Sequence, residues 1–236
     1  MKKFFILIAL FLSIECFAQI ETDTHVFWQP GVKLTFDMFQ GTPSDSVARS
    51  LTDQNLFHEQ YLGLWGCLDV PKSKRGWNKG MEEKPYFCAA MDKKNSFLIV
   101  RDSTELKYAQ LCFDACEVAA RVARMNLAER VDSVKKDIPG GKVNGVIFFW
   151  FRTCLNDGKM VKKGLINLFM TNVIKPRNEE EYNECRRLLD NKLKALEEYA
   201  TTPEEIQRFI TDKPDKGYKL AETMVRDLEE REDIVN

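Results

Sequence analysis

Cys112 and Cys116 stand four residues apart in the stretch Leu106-Lys-Tyr-Ala-Gln-Leu-Cys-Phe-Asp-Ala-Cys-Glu-Val-Ala-Ala-Arg121. On a helix, at about 100° per residue, Tyr108, Cys112, Ala115 and Ala119 share one face, with Ala109 and Cys116 beside them. Two thiolates so placed are able to bind zinc, but a working site needs at least a third ligand, from Cys154, Asp or Glu. The competing reading is packing, because small buried thiols behave as apolar residues. Gln110, Asp114, Glu117 and Arg121 fall on the opposite stripe. Glu117 and Arg121 form the favourable Glu-first pair, worth a few tenths of a kcal/mol when exposed. Buried, each of those charges requires a partner.

Other chemistry is thin. The chain holds two histidines, His25 and His58, and neither follows the helix. A Cys–His nucleophile, from Cys67 or Cys88 with His58, is allowed by composition alone. His58-Glu59-Gln60 lies in a strand-like stretch with Leu62, not His, four residues on. There is no phosphate-binding glycine loop, serine elbow or dinucleotide fingerprint.

The elements that must position these residues can be read from pattern. Residues 32–36 and 56–70 have strand character, with a turn at Gly41-Thr-Pro43 and a Gly- and Pro-punctuated basic loop over 71–85. Residues 86–91 and 96–100 read as two strands of a hairpin joined at Asp92-Lys-Lys-Asn95. Asp102, with Glu105 three residues on, has the form of a capping box and opens a helix to about Lys136, stopped by Pro139-Gly-Gly141. The apolar run 146–155, the turn signal Asn156-Asp-Gly158 and the run 165–174 predict a second hairpin. After Pro176 the composition turns charged and helical. Residues 179–200 carry a stripe of Tyr182, Cys185, Leu189, Leu193, Leu196 and Ala200. Thr202-Pro-Glu-Glu205 opens another helix, and residues 216–232 predict a last one.

Residues 1–18 read as an export signal: Lys2 and Lys3 precede the apolar run 4–14, and Ala18 offers a small residue before the cut. No later run reaches membrane-spanning length. The chain therefore reads as an exported protein of the periplasm or extracellular space. With 35 basic and 36 acidic residues and a net charge of −1, it carries no footprint for nucleic acid. An exporting chain can oxidise Cys67, Cys88, Cys112, Cys116, Cys154 and Cys185. Cys67 with Cys88 is the expected disulfide, since both flank one loop-rich segment, whereas Cys112 and Cys116 sit one turn apart, where a regular helix does not readily close a bridge.

The pattern Leu106-x-x-x-Gln110-x-x-Phe113-Asp114-x-x-Glu117-x-x-Ala120-Arg121 resembles L-x-H-E-Q-x-H-F-D-x-x-E-x-x-A-R, the helix of exported bacterial zinc-protease-like proteins, the domain-of-unknown-function family nine-two-two. Upstream, Lys33-Leu-Thr-Phe36 with Phe39, Gly41 and Pro43 is similar to that family's K-L-T-W-x-D-F-x-G-x-P, and Ser96-Phe97 to its Ser-Trp. The likeness spans about residues 28–130. It implies a zincin-like fold with two metal-binding histidines and a catalytic Glu, and those positions here are Tyr108, Cys112 and Ala109. The expectation is thus an α+β fold: a zincin-like mixed sheet with a long central helix over residues 19–175, plus a helical C-terminal extension over 176–236. The expected function is non-catalytic, the binding of a protein, peptide or envelope component. The alternative is an exported metal-dependent hydrolase with zinc on Cys112 and Cys116.

Overall fold

A computed structural model describes residues 21–138 and 144–221. The expected export signal lies outside them, as does most of the expected last helix. Four strands, β1 (His25–Phe27), β2 (His58–Pro71), β3 (Lys84–Leu98) and β4 (Tyr218–Leu220), form one sheet in the order β1-β3-β2-β4. Every pairing in it is antiparallel. Two short helices, α1 (Asp45–Asp53) and α2 (Lys74–Asn78), flank β2, and the long helix α3 (Ser103–Asp137) crosses the sheet. Helix α4 (Val146–Phe169) lies along α3, and α5 (Glu179–Ala195) and α6 (Pro203–Thr211) complete the helical C-terminal part. The architecture is α+β with a long central helix, as the sequence predicts.

Strand alternation sorts the sheet into two covered faces. Leu64 and Leu68 of β2 and Phe87 of β3 face α3 and α4. Trp65 and Cys67 of β2, with Tyr86 and Cys88 of β3, face Ile206 and Phe209 of α6. The sheet is thus sandwiched, and the C-terminal helices share its core. Cys185 and Leu189 of α5 enter the cluster that holds the first half of α3. β4, also from the C-terminal part, hydrogen-bonds the edge of β2.

Several local expectations are corrected. Residues 146–155 are helical, not a strand, and the turn signal at Asn156-Asp-Gly158 lies inside α4. An apolar run of this length fits either element. The deciding signal is the spacing of its buried residues Phe151, Cys154, Leu155, Gly158, Lys162 and Phe169, which is helical. Residues 165–174 finish that helix and its terminal π-turn, Met170–Ile174. Residues 86–100 are not a hairpin. β3 runs through, with residues 93–96 bulging opposite Gln60, where the register jumps from Glu59↔Phe97 to Tyr61↔Asp92. Asp92 accepts the backbone N–H groups of Lys94 and Asn95, which gives the bulge its turn-like composition. Residues 32–36 join no strand, the loop over 71–85 contains α2, and residues 218–220 are strand.

Two features seat the long helices. Asp102 caps α3 by accepting from Glu105 N. The buried carboxylate of Glu83 accepts from the N–H groups of Gly145, Ile147 and Phe148 at the start of α4. A negative charge there suits the helix dipole, although burial still pushes the Glu83 carboxyl above its usual range despite those three bonds.

Gly158 marks a close approach of α4 to α3 and β2. A Cβ there would lie 2.7 Å from Leu64 Cδ2 and 2.8 Å from the Ala119 carbonyl oxygen. In an open helix, Gly→Ala gains about 1 kcal/mol; here overpacking costs about 1–3 kcal/mol. Gly158→Ala is therefore expected to lower the melting temperature, and an increase in a thermal scan would contradict the close contact.

Candidate functional site

The two faces of α3 have different environments. Tyr108, Ala109, Cys112 and Cys116 are all buried, with Ala109 and Cys116 fully so. Cys112 and Cys116 belong to one apolar cluster with Leu51, Leu56, Phe97, Phe169, Val173 and Leu189. Tyr108 lies edge-on to Tyr182 at 5.8 Å, beneath the Arg177 guanidinium at 5.3 Å from its ring centre. Among the described residues, no three His, Cys, Asp or Glu side chains group as a metal ion would require. The described residues thus supply no third ligand for the alternative zinc reading on Cys112 and Cys116.

The opposite stripe is a buried polar line. Asp114 accepts from Trp28 Nε1 at 2.8 Å, Gln110 Nε2 at 2.9 Å and Arg186 Nη1 at 2.6 Å. Gln110 in turn accepts Leu34 N at 2.9 Å. Glu117, wholly buried, accepts Arg121 Nε at 2.8 Å, Thr201 N at 2.9 Å and Thr201 Oγ1 at 2.6 Å. Arg121 also donates to the Leu193 carbonyl and lies 5.1 Å above the Trp28 ring. One turn further, Arg124 donates to Glu205, to Thr201 Oγ1 and to the carbonyls of Tyr199 and Phe87. Arg124 continues the helical spacing of the stripe, and that spacing was the signal by which it could have been found. The line ties the lead-in 28–34, the sheet and the C-terminal block to one helix.

The motifs behind the family resemblance meet in space. Leu34 binds Gln110, Gly41 N donates to the Ser96 carbonyl at 2.9 Å, and buried Ser96 Oγ accepts Tyr61 N at 2.9 Å. Gly41 is required there, since a Cβ would come within 2.9 Å of the carbonyl oxygens of Lys94 and Ser96. These residues pack and anchor.

His58 has a partner that its sequence neighbourhood does not announce. Its Nδ1 lies 2.7 Å from Glu105, which also receives Arg177 Nη1. Glu105 thus points to His58 and Arg177 instead of closing the capping box on Asp102. Burial alone would lift the Glu105 carboxyl, but the bonds from His58 and Arg177 outweigh it and hold the carboxyl below its usual range.

Cys67 and Cys88 correct two expectations. Both are thiols, not a disulfide. Cys67 is opposite Tyr86 and Cys88 opposite Trp65, so the two are diagonal neighbours. They lie on the α6 face of the sheet, whereas His58 bonds to α3, so no Cys–His pair forms. Burial pushes the Cys67 thiol up to about 12 and Cys88 well above its ordinary value, the opposite of an activated nucleophile.

Two clefts open beside α3. One, of about 450 Å³, lies between the segment 28–34, the α3 residues Leu106, Lys107, Gln110 and Asp114, and the α5 residues Tyr182, Arg186 and Leu193. The other, of about 410 Å³, lies at the start of α3 beside Phe57, Val100, Tyr108 and Arg177. No family model, curated protein or solved structure matches the chain.

Removing Glu117 would strand the Arg121 guanidinium and both Thr201 donors. Glu117→Ala is expected to cost about 3–5 kcal/mol, read as a lower urea midpoint, and an unchanged midpoint would count against the buried line. The depressed Glu105 carboxyl contributes stability that is complete above the unfolded-state Glu value, about 4.3, and is lost as the pH falls through its lower folded value. Thermal scans from pH 6 to pH 3 should therefore show Glu105→Gln less stable than wild type at pH 6 and the gap closing in acid. A pH-independent gap would contradict this.

Proposed function

We propose that this chain is an exported, non-catalytic binding protein on a scaffold of zinc-protease type. It holds a peptide segment of a protein partner in the cleft between residues 28–34, α3 and α5. The observation that carries the reading is the fate of the three positions to which the resemblance assigns metal and catalysis. Ala109 and Cys112 are buried in the core, Tyr108 is buried behind the cleft beside Phe57 and Arg177, and none of the three offers an imidazole or a carboxylate. The cleft offers apolar walls, with Val32, Leu106, Tyr182 and Leu193, and three cations, Lys33, Lys107 and Arg186, against two carboxylates, Asp114 and Asp190, which Arg186 already pairs. That mixture suits a segment with apolar side chains and carboxylates. Export is read from the sequence of residues 1–18, and the likeness to the zinc-protease-like family from that of residues 28–130.

Metal analysis separates this reading from a hydrolase with zinc on Cys112 and Cys116. Purified protein is expected to carry far less than one zinc per chain, and Cys112→Ser to leave that content unchanged. Stoichiometric zinc lost in Cys112→Ser would overturn the proposal. The triple variant Tyr108→His/Ala109→Glu/Cys112→His should still fail to bind zinc tightly, since Glu105, one turn from position 108, is already held by His58 and Arg177. For the cleft itself, acidic-apolar peptides selected from a displayed library should bind wild type and lose affinity for Val32→Asp or Tyr182→Ala. Equal binding by all three proteins would remove the cleft from the account.

A further inference from the structure

The two clefts beside α3 share a lining residue, Lys107. Its ammonium lies over the Tyr182 ring at 4.6 Å and the Tyr108 ring at 5.4 Å, and it pairs with the exposed Glu179. The clefts are thus two arms of one groove, divided by a single long side chain. Most charges lining the groove cancel internally. Lys107 meets Glu179, Arg177 meets Glu105, and Arg186 meets Asp114 and Asp190. Among the described lining residues, two charges are left without an ion-pair partner, one in each arm and of opposite sign. Lys33 stands exposed in the arm walled by residues 28–34. Asp102, also exposed, lines the other arm, where its carboxylate accepts the Glu105 N–H as the cap of α3.

The segment that bears Lys33 is fixed at Gln110, which accepts the Leu34 N–H. From the cap at Asp102 to Gln110 the helix rises about 12 Å, so the two charges stand about that far apart along its axis. An extended chain covers such a distance in about four residues. Apolar walls lie at both ends, Val32 and Leu106 in one arm and Phe57 and Val100 in the other. We propose that the groove takes an extended peptide segment with a carboxylate and a cation about four residues apart, joined by apolar side chains. The carboxylate meets Lys33, the cation meets Asp102, and the chain crosses over Lys107. This ligand pattern rests on the peptide reading of the cleft and fixes which end of the segment lies in which arm. Both pairs are exposed, so each contributes about a two- to fivefold gain in affinity and acts mainly on specificity.

Selection of linear peptides from a displayed library on the full-length protein tests the pattern. Wild type should enrich peptides with an acidic and a basic residue about four positions apart. Lys33→Glu should exchange the acidic preference for a basic one and keep the preference at the other end. Asp102→Asn retains the cap of α3, since Asn caps about as well as Asp, and should lose only the preference for the basic residue. A peptide selected on wild type should bind Asp102→Asn about two- to fivefold more weakly, with circular dichroism unchanged. A benzoylphenylalanine in place of Val100 should cross-link to the basic end of that peptide. Peptides that need Val32 but ignore both charge variants, or never link to position 100, would overturn the charge pattern and leave the cleft as a binding site. A library that yields no peptide sensitive to Val32→Asp would overturn both.

Discussion

A carboxylate removed from water must be met by donors, and Glu117 is met from three sides. Arg121 approaches from the next turn of its own helix, and Thr201 supplies both a backbone N–H and a hydroxyl from 84 positions away. The arrangement is stringent because burying the ion pair costs several kcal/mol per charge before the attraction is counted. Only complete satisfaction makes such a group tolerable inside a core. Asp114 and Arg124 repeat the arrangement one turn to either side, with Arg186, Trp28, Glu205 and Thr201 as partners. Residues distant in sequence are thereby fixed to one helix, and the C-terminal helices become part of the main core. The fully buried pair of Arg208 with Asp69, at 2.7 and 2.9 Å, holds α6 to the sheet in the same way.

The other faces of α3 obey a different constraint. Ala119 and Ala123 leave room for α4 to come close at Gly158. Tyr108 and Cys112 stand where the motif that the helix resembles has imidazoles; both are buried in the apolar cluster, Tyr108 with the Lys107 and Arg177 cations over its ring. Imidazoles there would need a metal or hydrogen-bond partners, and the described surroundings give mainly hydrocarbon. The helix thus carries fold-anchoring residues on one stripe and packing residues on the other. On the proposed reading, binding falls to the cleft beside residues 28–34.

Much of the scaffold is legible in the sequence where the signals are local. The cap at Asp102, the helix opened at Thr202-Pro-Glu-Glu205, and the strand expected over 56–70 and found over His58–Pro71 all follow the sequence. Legibility ends where a local pattern admits two solutions. Asp92-Lys-Lys-Asn95 has the composition of a turn and makes turn-like bonds, yet it sits in a bulge of a continuous strand. The aromatic run at 146–155 is apolar enough for a strand and becomes a helix because α3 offers it a groove of alanines. The polar stripe was visible from helical geometry, but Thr201, Leu193 and Arg186 were not, since nothing local links them to α3. The bond between His58 and Glu105 was hidden for the same reason, because a strand residue and a helix residue met only after folding.

The central claim is that the buried line on α3 welds the C-terminal helices to the sheet, and native-state amide hydrogen exchange tests it most directly. The account predicts that amides in α5, α6, the middle of α3 and the paired core of β2 and β3 exchange with one opening free energy, equal to that of global unfolding. Opening of α5 and α6 at a distinctly lower free energy, while α3 and the sheet stay protected, would contradict it.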